Sequence, residues 1–106
     1  MIKVNFFAEN GLIKGFEISG HSGAGEVGND IICASVSSAA YMTANTITDI
    51  LFLKADIQVD EGYIKFIVID DYSEAQQILK GLRLHLESLA DDYPNNILVT
   101  RRCQNA

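Results

Sequence analysis

Residues 55–69 read ADIQVDEGYIKFIVI, and the fold turns on them. Ile57 and Val59 alternate with polar neighbours, Asp60, Glu61 and Gly62 supply a turn, and Ile64, Phe66 and Val68 resume the period of two. That period places successive side chains on opposite sides of a strand, so the stretch predicts a β-hairpin. A hairpin joins antiparallel strands, which excludes a wholly parallel, doubly wound sheet.

The flanking segments fit around this hairpin. Ahead of it, Ile32, Val36, Ala39, Ala40, Ile47, Ile50 and Leu51 recur at helical spacing, with Asn29 or Asp30 available as the cap and an end expected near Leu53. Further toward the N-terminus, Ile2, Val4 and Phe6, a turn at Asn10 and Gly11, and then Phe16 and Ile18 predict a first hairpin. After it, Ser73 with Gln76 has the form of a capping box, and Ala75, Ile78, Leu79, Leu82, Leu86 and Leu89 make the apolar stripe of a helix that stops before Pro94. Asn96–Thr100 then read as a last strand. The order ββαββαβ, with one apolar stripe on each helix, predicts an α+β two-layer sandwich: a mainly antiparallel sheet of about five strands with both helices on one face.

Length and composition bound the function. The 106 residues make one domain, 1–106, and 48% hydrophobic with 21% charged residues is the composition of a globular chain. A formal charge of −6 and a pI near 4.6 exclude a nonspecific nucleic-acid binder, which needs clustered Lys and Arg, and favour a basic partner. The closing TRRCQNA is expected to be a solvated tail with an inert Cys103. Two cysteines without a signal-peptide h-region make a reducing cytoplasm the expectation. The run Ile31–Leu53 is long enough to span a membrane, but its Ser, Thr, Asn and Asp residues make a buried helix in water the expectation, with no membrane partner.

The chemistry lies in residues 20–38, GHSGAGEVGNDIICASVSS. Gly23, Gly25 and Gly28 satisfy G-x-G-x-x-G, yet the acid that should close a second parallel strand about 20 residues on falls at Asp49, inside the helix. Asn29 stands where a phosphate-binding loop of the Walker type would carry Lys, so nucleotide binding is set aside as a rival reading. One His, one Cys and one Asp lack the fourth ligand of a structural zinc site, and no metal or other cofactor is expected. What remains is His21 at a strand end and Cys33 in the first turn of a helix. Unpaired N–H groups and the positive end of the helix dipole favour a thiolate there, a neighbouring imidazolium favours it further, and the same N–H groups suit a developing oxyanion. Asp30 has two readings, helix cap or orienter of His21, and both are compatible. The alternative for the pair is a small buried cysteine and an ordinary loop histidine.

Gly20, His21, Gly23, Gly28, Asp30, Ile31, Cys33, Ala34, Val36 and Ser37 together resemble the G-H-x-G and D-I-V-C-A-A-V-S signature of the ribosomal-processing cysteine protease family, the Prp or YsxB-like proteins. Ile32 and Ser35 depart from it mildly. The resemblance implies that Cys33 is the nucleophile, that His21 is its base and acid, and that Asp30 and Ser37 support them. It also implies a substrate, the N-terminal extension of large-subunit ribosomal protein twenty-seven, cut after a hydrophobic, aromatic-containing motif and before a small residue. A homodimer and a mobile glycine loop, Gly20, Gly23, Gly25 and Gly28, are further implications. From these the expectation follows that loop closure brings His21 to Cys33 when substrate arrives. A noncatalytic ribosome-associated module of the same fold is the rival reading.

Three other features are expected to be ordinary. His85 is a surface residue, Phe6 and Phe7 in NFFAEN belong to a strand rather than to a self-cleavage site, and the small residues Ala34, Ser35, Ser38, Ala39 and Ala40 allow another element to pack closely on the first helix.

Overall fold

The structure is a computed structural model that describes residues 1–21 and 30–103, with side chains described as far as Thr100. Its elements follow the expected order: β1 (Ile2–Glu9), β2 (Leu12–Ser19), α1 (Ile31–Asn45), β3 (Ala55–Asp60), β4 (Tyr63–Val68), α2 (Gln76–Asp92) and β5 (Ile97–Cys103). The five strands lie in the order β3-β4-β2-β1-β5, antiparallel except for β1 with β5. Both helices pack on one face, where their apolar stripes share a single core with Ile2, Val4, Phe6, Phe16, Ile18, Ile64 and Phe66. The expected two-layer α+β sandwich is the observed one.

The centre of the core is a row of aromatics set by strand register. Phe6 lies opposite Phe16 and Phe16 opposite Phe66. The Phe16 and Phe66 rings stack with centroids 5.4 Å apart, and Phe6 tilts against Phe16 at 6.4 Å. Directly opposed aromatics are the strongest cross-strand pairs, and here they also bury the largest side chains. On the other face, Thr100, Asn5, Glu17 and Tyr63 form a chain of side-chain hydrogen bonds across β5, β1, β2 and β4. Phe7 is buried on that open side, where Lys65 lies over its ring at 5.6 Å. Because β1 is flanked on both edges, the Phe6 and Phe7 peptide bonds are locked in the middle of the sheet, as the strand reading required.

The first hairpin closes through Asn10 and Gly11, both left-handed at φ 54° and 76°, which is the pairing a two-residue Asn-Gly turn demands. A register shift follows, since Phe7 pairs with Gly15 but Ala8 with Ile13. The extra residue, Lys14, turns out to Glu9 at 2.9 Å, and Ile13 takes the core position that an unbroken alternation would have given to Lys14.

The structure corrects three local expectations. Ser73 and Gln76 form no capping box. Asp71 caps the 3₁₀ turn Tyr72–Ala75 instead, accepting from the N–H and the hydroxyl of Ser73. Gln76 crosses to β2, where its amide accepts from Ile13 N–H and donates to Ile13 C=O. That edge of β2 runs beyond its pairing with β4, so the side chain stands in for a missing strand. Next, α1 does not run regularly to Leu53. Thr43, Thr46 and Thr48 each return their hydroxyl to the carbonyl four residues back, and the last turn widens into a π-turn over Thr46–Ile50. The tail expectation also fails in part, because Arg101–Cys103 continue β5 alongside β1. The helices leave edge strand β3 uncovered, and its helix-side Ile57 and Val59 stay 48% and 57% exposed.

Two measurements test this account. Gln76→Ala is expected to leave the Ile13 backbone groups unpaired and to lower unfolding stability by about 1–3 kcal/mol in urea titration. Two hydrogen bonds from Ser73 hold the Asp71 carboxyl below its usual 3.8. A depressed carboxyl stabilises the fold above its unfolded value and loses that contribution as pH falls through the folded one. Asp71→Asn is therefore expected to lower Tm at neutral pH by an amount that shrinks to nothing well below pH 3.8.

Candidate active site

β2 delivers the histidine. At its end Gly20 turns at φ +93°, and a Cβ there would stand 2.4 Å from the Met1 carbonyl oxygen, so only glycine lets the strand leave the sheet at this point. The Gly20 N–H donates to Gly62 C=O at 2.9 Å and ties this exit to the β3–β4 turn. Gly20 is thus an anchored position. Gly23, Gly25 and Gly28 lie outside the described residues. The exposed His21 follows directly, with Nδ1 at 3.9 Å from Cys33 Sγ. This is a long contact of the kind that tightens as substrate engages. His21 follows the end of β2 and Cys33 lies in the first turn of α1, while the expected closing loop between them, residues 22–29, lies outside the described residues.

The start of α1 places the sulfur. Asp30 is extended at φ −82° and ψ 95°, its Oδ1 accepts from Cys33 N–H at 3.0 Å, and its carbonyl accepts from Ala34 N–H at 3.0 Å. This is an N-cap reaching the third helical residue, so Asp30, and not Asn29, begins the helix. Its consequence for chemistry is specific: the Cys33 N–H that could face an oxyanion is engaged by the cap. Cys33 itself is a half-buried thiol.

Cys33, Ser37 and Tyr41 follow one another at four-residue steps and so line one side of the helix. They face a pocket of about 210 Å³ whose other walls include His21, Asp60 and Tyr63, over a floor of Ile2, Ile18 and Val36. The Tyr63 hydroxyl donates to Glu17 Oε2 at 2.6 Å, and this bond, with burial and the Glu17 charge, raises its pKa above the usual 10.0. The Tyr63 hydroxyl is thereby tied to Glu17 on the open face of the sheet, and Tyr63 borders the pocket at the edge of the turn. Asp60 Oδ1 accepts from Glu61 N–H at 2.7 Å, which fixes the carboxylate at the mouth of the turn.

Of the residues that the sequence singles out, His21, Cys33 and Ser37 line the pocket, and Asp30 reaches it only through its bond to the Cys33 N–H. Not singled out are Tyr41, Asp60, Gly62 and Tyr63. Tyr41 was available from helical periodicity, two steps of four beyond Cys33. The others were visible only as a turn, and sheet pairing alone brings that turn to the histidine. His85 is exposed, and Asp49 sits in the π-turn after α1. A larger apolar groove of about 800 Å³ runs between α1 and α2, lined by Ala34, Ser35, Ser38 and Ala39 among others, but it holds neither the thiol nor His21. Among the described residues no cluster of three His, Cys, Asp or Glu side chains could hold a metal ion, and no helix is long and apolar enough to cross a membrane.

Comparison with known proteins leads to the same chemistry. The profile of the family described as cysteine protease Prp matches residues 1–98. Ribosomal processing cysteine protease Prp of Staphylococcus aureus is 29% identical over 92 residues, covering 84% of this chain and 87% of its own length. Its namesake from Bacillus subtilis is 30% identical over 95 residues, covering 83% and 85%. The crystal structure of the S. aureus ribosomal processing protease Prp with a covalently linked product peptide aligns at a TM-score of 0.89 and 28% identity, over 96% of this chain and 100% of that one. With the thiol, the imidazole and the sheet that brings them together all in place, the chain belongs to the Prp family of cysteine proteases.

Proposed function

We propose that the single domain of residues 1–106 is a cytoplasmic endopeptidase that removes the N-terminal extension from the precursor of large-subunit ribosomal protein twenty-seven, acting as a homodimer and without a cofactor. The observation that carries the reading is the 3.9 Å approach of His21 Nδ1 to a thiol in the first turn of α1. The relatives, which are ribosomal processing cysteine proteases, support the substrate class. So does charge, because a protein of net charge −6 attracts a basic ribosomal precursor and speeds encounter.

The chemistry runs in two balanced halves. The Cys33 sulfur attacks the scissile carbonyl carbon, the C–N bond breaks, and protonated His21 gives its proton to the departing amine. His21 then takes a proton from water, whose oxygen attacks the thioester and releases Cys33 and the carboxylate of the removed extension. Asp30 supports the site as the cap that fixes the direction of Cys33. Ser37, one turn on and in the same pocket, presents a hydroxyl to the tetrahedral oxygen. Tyr41 and the apolar floor suit the aromatic-containing motif that precedes the cut.

Incubating the protein with the precursor and weighing the products tests this. Wild-type protein is expected to shorten the precursor once, and Cys33→Ala or His21→Ala to lower the rate by about 10³-fold or more. Shortening that survives in Cys33→Ala, or tight binding by wild-type protein without any shortening, overturns it. Asp30→Ala is expected to lower stability by about 1 kcal/mol and to reduce kcat, whereas Asp30→Asn, an equally good cap, keeps the Tm and most of the activity. A large loss of activity in Asp30→Asn at unchanged Tm would mean that the carboxylate charge acts on His21 directly.

A further inference from the structure

We propose that Gly62, in the β3–β4 turn, is a positioning residue for His21: the absence of a side chain at this position leaves the space that the Nε2 side of the ring occupies. The proposal rests on the reading of His21 and Cys33 as the reacting pair and adds to it an element, the β3–β4 hairpin, that no motif in the sequence connects to them.

Three observations converge on Gly62. First, a Cβ built on it would lie 3.1 Å from His21 Nε2, 3.5 Å from Cε1 and 3.8 Å from Cδ2, so any other residue presses on the ring from the side away from the sulfur. Second, the backbone there is left-handed at φ +65°, a conformation that glycine adopts without cost. Third, Gly62 cannot drift away to make room. Ser19 pairs with Tyr63, the next rung is the Gly20 N–H bond to Gly62 C=O, and His21 is the following residue. The same ladder that ends in the histidine therefore holds the surface on which its ring rests.

The consequence is chemical as well as steric. With Nδ1 turned to Cys33, Nε2 is the nitrogen left to fix the tautomer and to carry the second N–H of the imidazolium. A methyl group at 3.1 Å both displaces the ring by a few tenths of an ångström and covers that nitrogen. Among the described residues, the charged and titratable groups near the ring are Cys33 and Tyr41 on α1 with Asp30 at its cap, and Asp60 and Tyr63, the latter bound to Glu17, on the hairpin side. Asp60 is two residues from Gly62 in the same pocket, so its charge needs its own variant.

The test uses a control that the fold provides. Gly11 has a similar positive φ, +76°, in the other hairpin turn, and a Cβ on it meets nothing within 4 Å. Gly11→Ala and Gly62→Ala carry the same backbone penalty, but only the second touches His21. Gly62→Asn relieves the backbone, since Asn tolerates the left-handed region, while keeping the Cβ. Four readouts are taken on full-length protein: Tm, kcat and KM on the precursor, the pH profile of Cys33 alkylation by iodoacetamide read on its own tryptic peptide, and the NMR resonance of the His21 Cε1 proton. Both alanine variants are expected to lose Tm alike. Gly62→Ala and Gly62→Asn are expected to lower kcat and the alkylation rate near pH 6 by about tenfold with little change in KM, and to shift the His21 resonance, while Gly11→Ala does neither.

Wild-type kcat and alkylation in the Gly62 variants, or an unmoved His21 resonance, overturn the proposal. So does an equal effect in Asp60→Asn with none in Gly62→Ala, which would assign the role to charge. Failure of the protease reading registers separately, as a wild-type protein that does not shorten the precursor, and the His21 resonance still decides the contact.

Discussion

The antiparallel pairing of β2 with β4 is the constraint on which the molecule depends. In the middle of the sheet it sets Phe16 on Phe66 and so builds the aromatic row of the core. At its end it leaves one further bond, Gly20 N–H to Gly62 C=O, and one residue past that bond stands His21. Core and chemistry thus share a ladder, and the rigidity of the first is transmitted to the second through backbone rather than side chains. A histidine carried on a long loop would sample many positions; one placed a single residue beyond a paired strand has few.

The other half of the site depends on where a helix begins. Asp30 satisfies the N–H of Cys33, and by fixing the start of α1 it determines which residues turn toward the pocket: Cys33, Ser37 and Tyr41, not Ala34 or Ser35, which line the groove toward α2. The cap also occupies an amide that an oxyanion would otherwise use, which directs attention to Ser37 for that task. The helix cap and the placement of the Cys33 sulfur are here set by the same few atoms.

Much of the fold was legible because its signals are short-range. Alternation in 55–69 and the Asn10-Gly11 turn specify hairpins through the two-residue period of a strand and the left-handed backbone of the turn. The errors came where a residue with a familiar local role was recruited over a distance. Gln76 stands where a capping box would use it, yet it bridges to Ile13, because an unpaired sheet edge left two backbone groups unpaired. The threonines of α1 keep a helical spacing but loosen the last turn by bonding to its carbonyls. Arg101–Cys103 are polar enough for a tail, and pairing with β1 makes them a strand.

By itself, then, the sequence determined the element order and the two-layer class and singled out His21 and Cys33 as candidates, since hydrophobic period, turn residues and a cysteine at a helix start are properties of neighbours along the chain. Tertiary structure alone decided that the turn at Asp60–Tyr63 stands beside the histidine, some forty residues away in the chain. That proximity arises from the order of strands in the sheet and the register of β2 on β4, which are settled by how the whole core packs and leave no mark on any short stretch of residues.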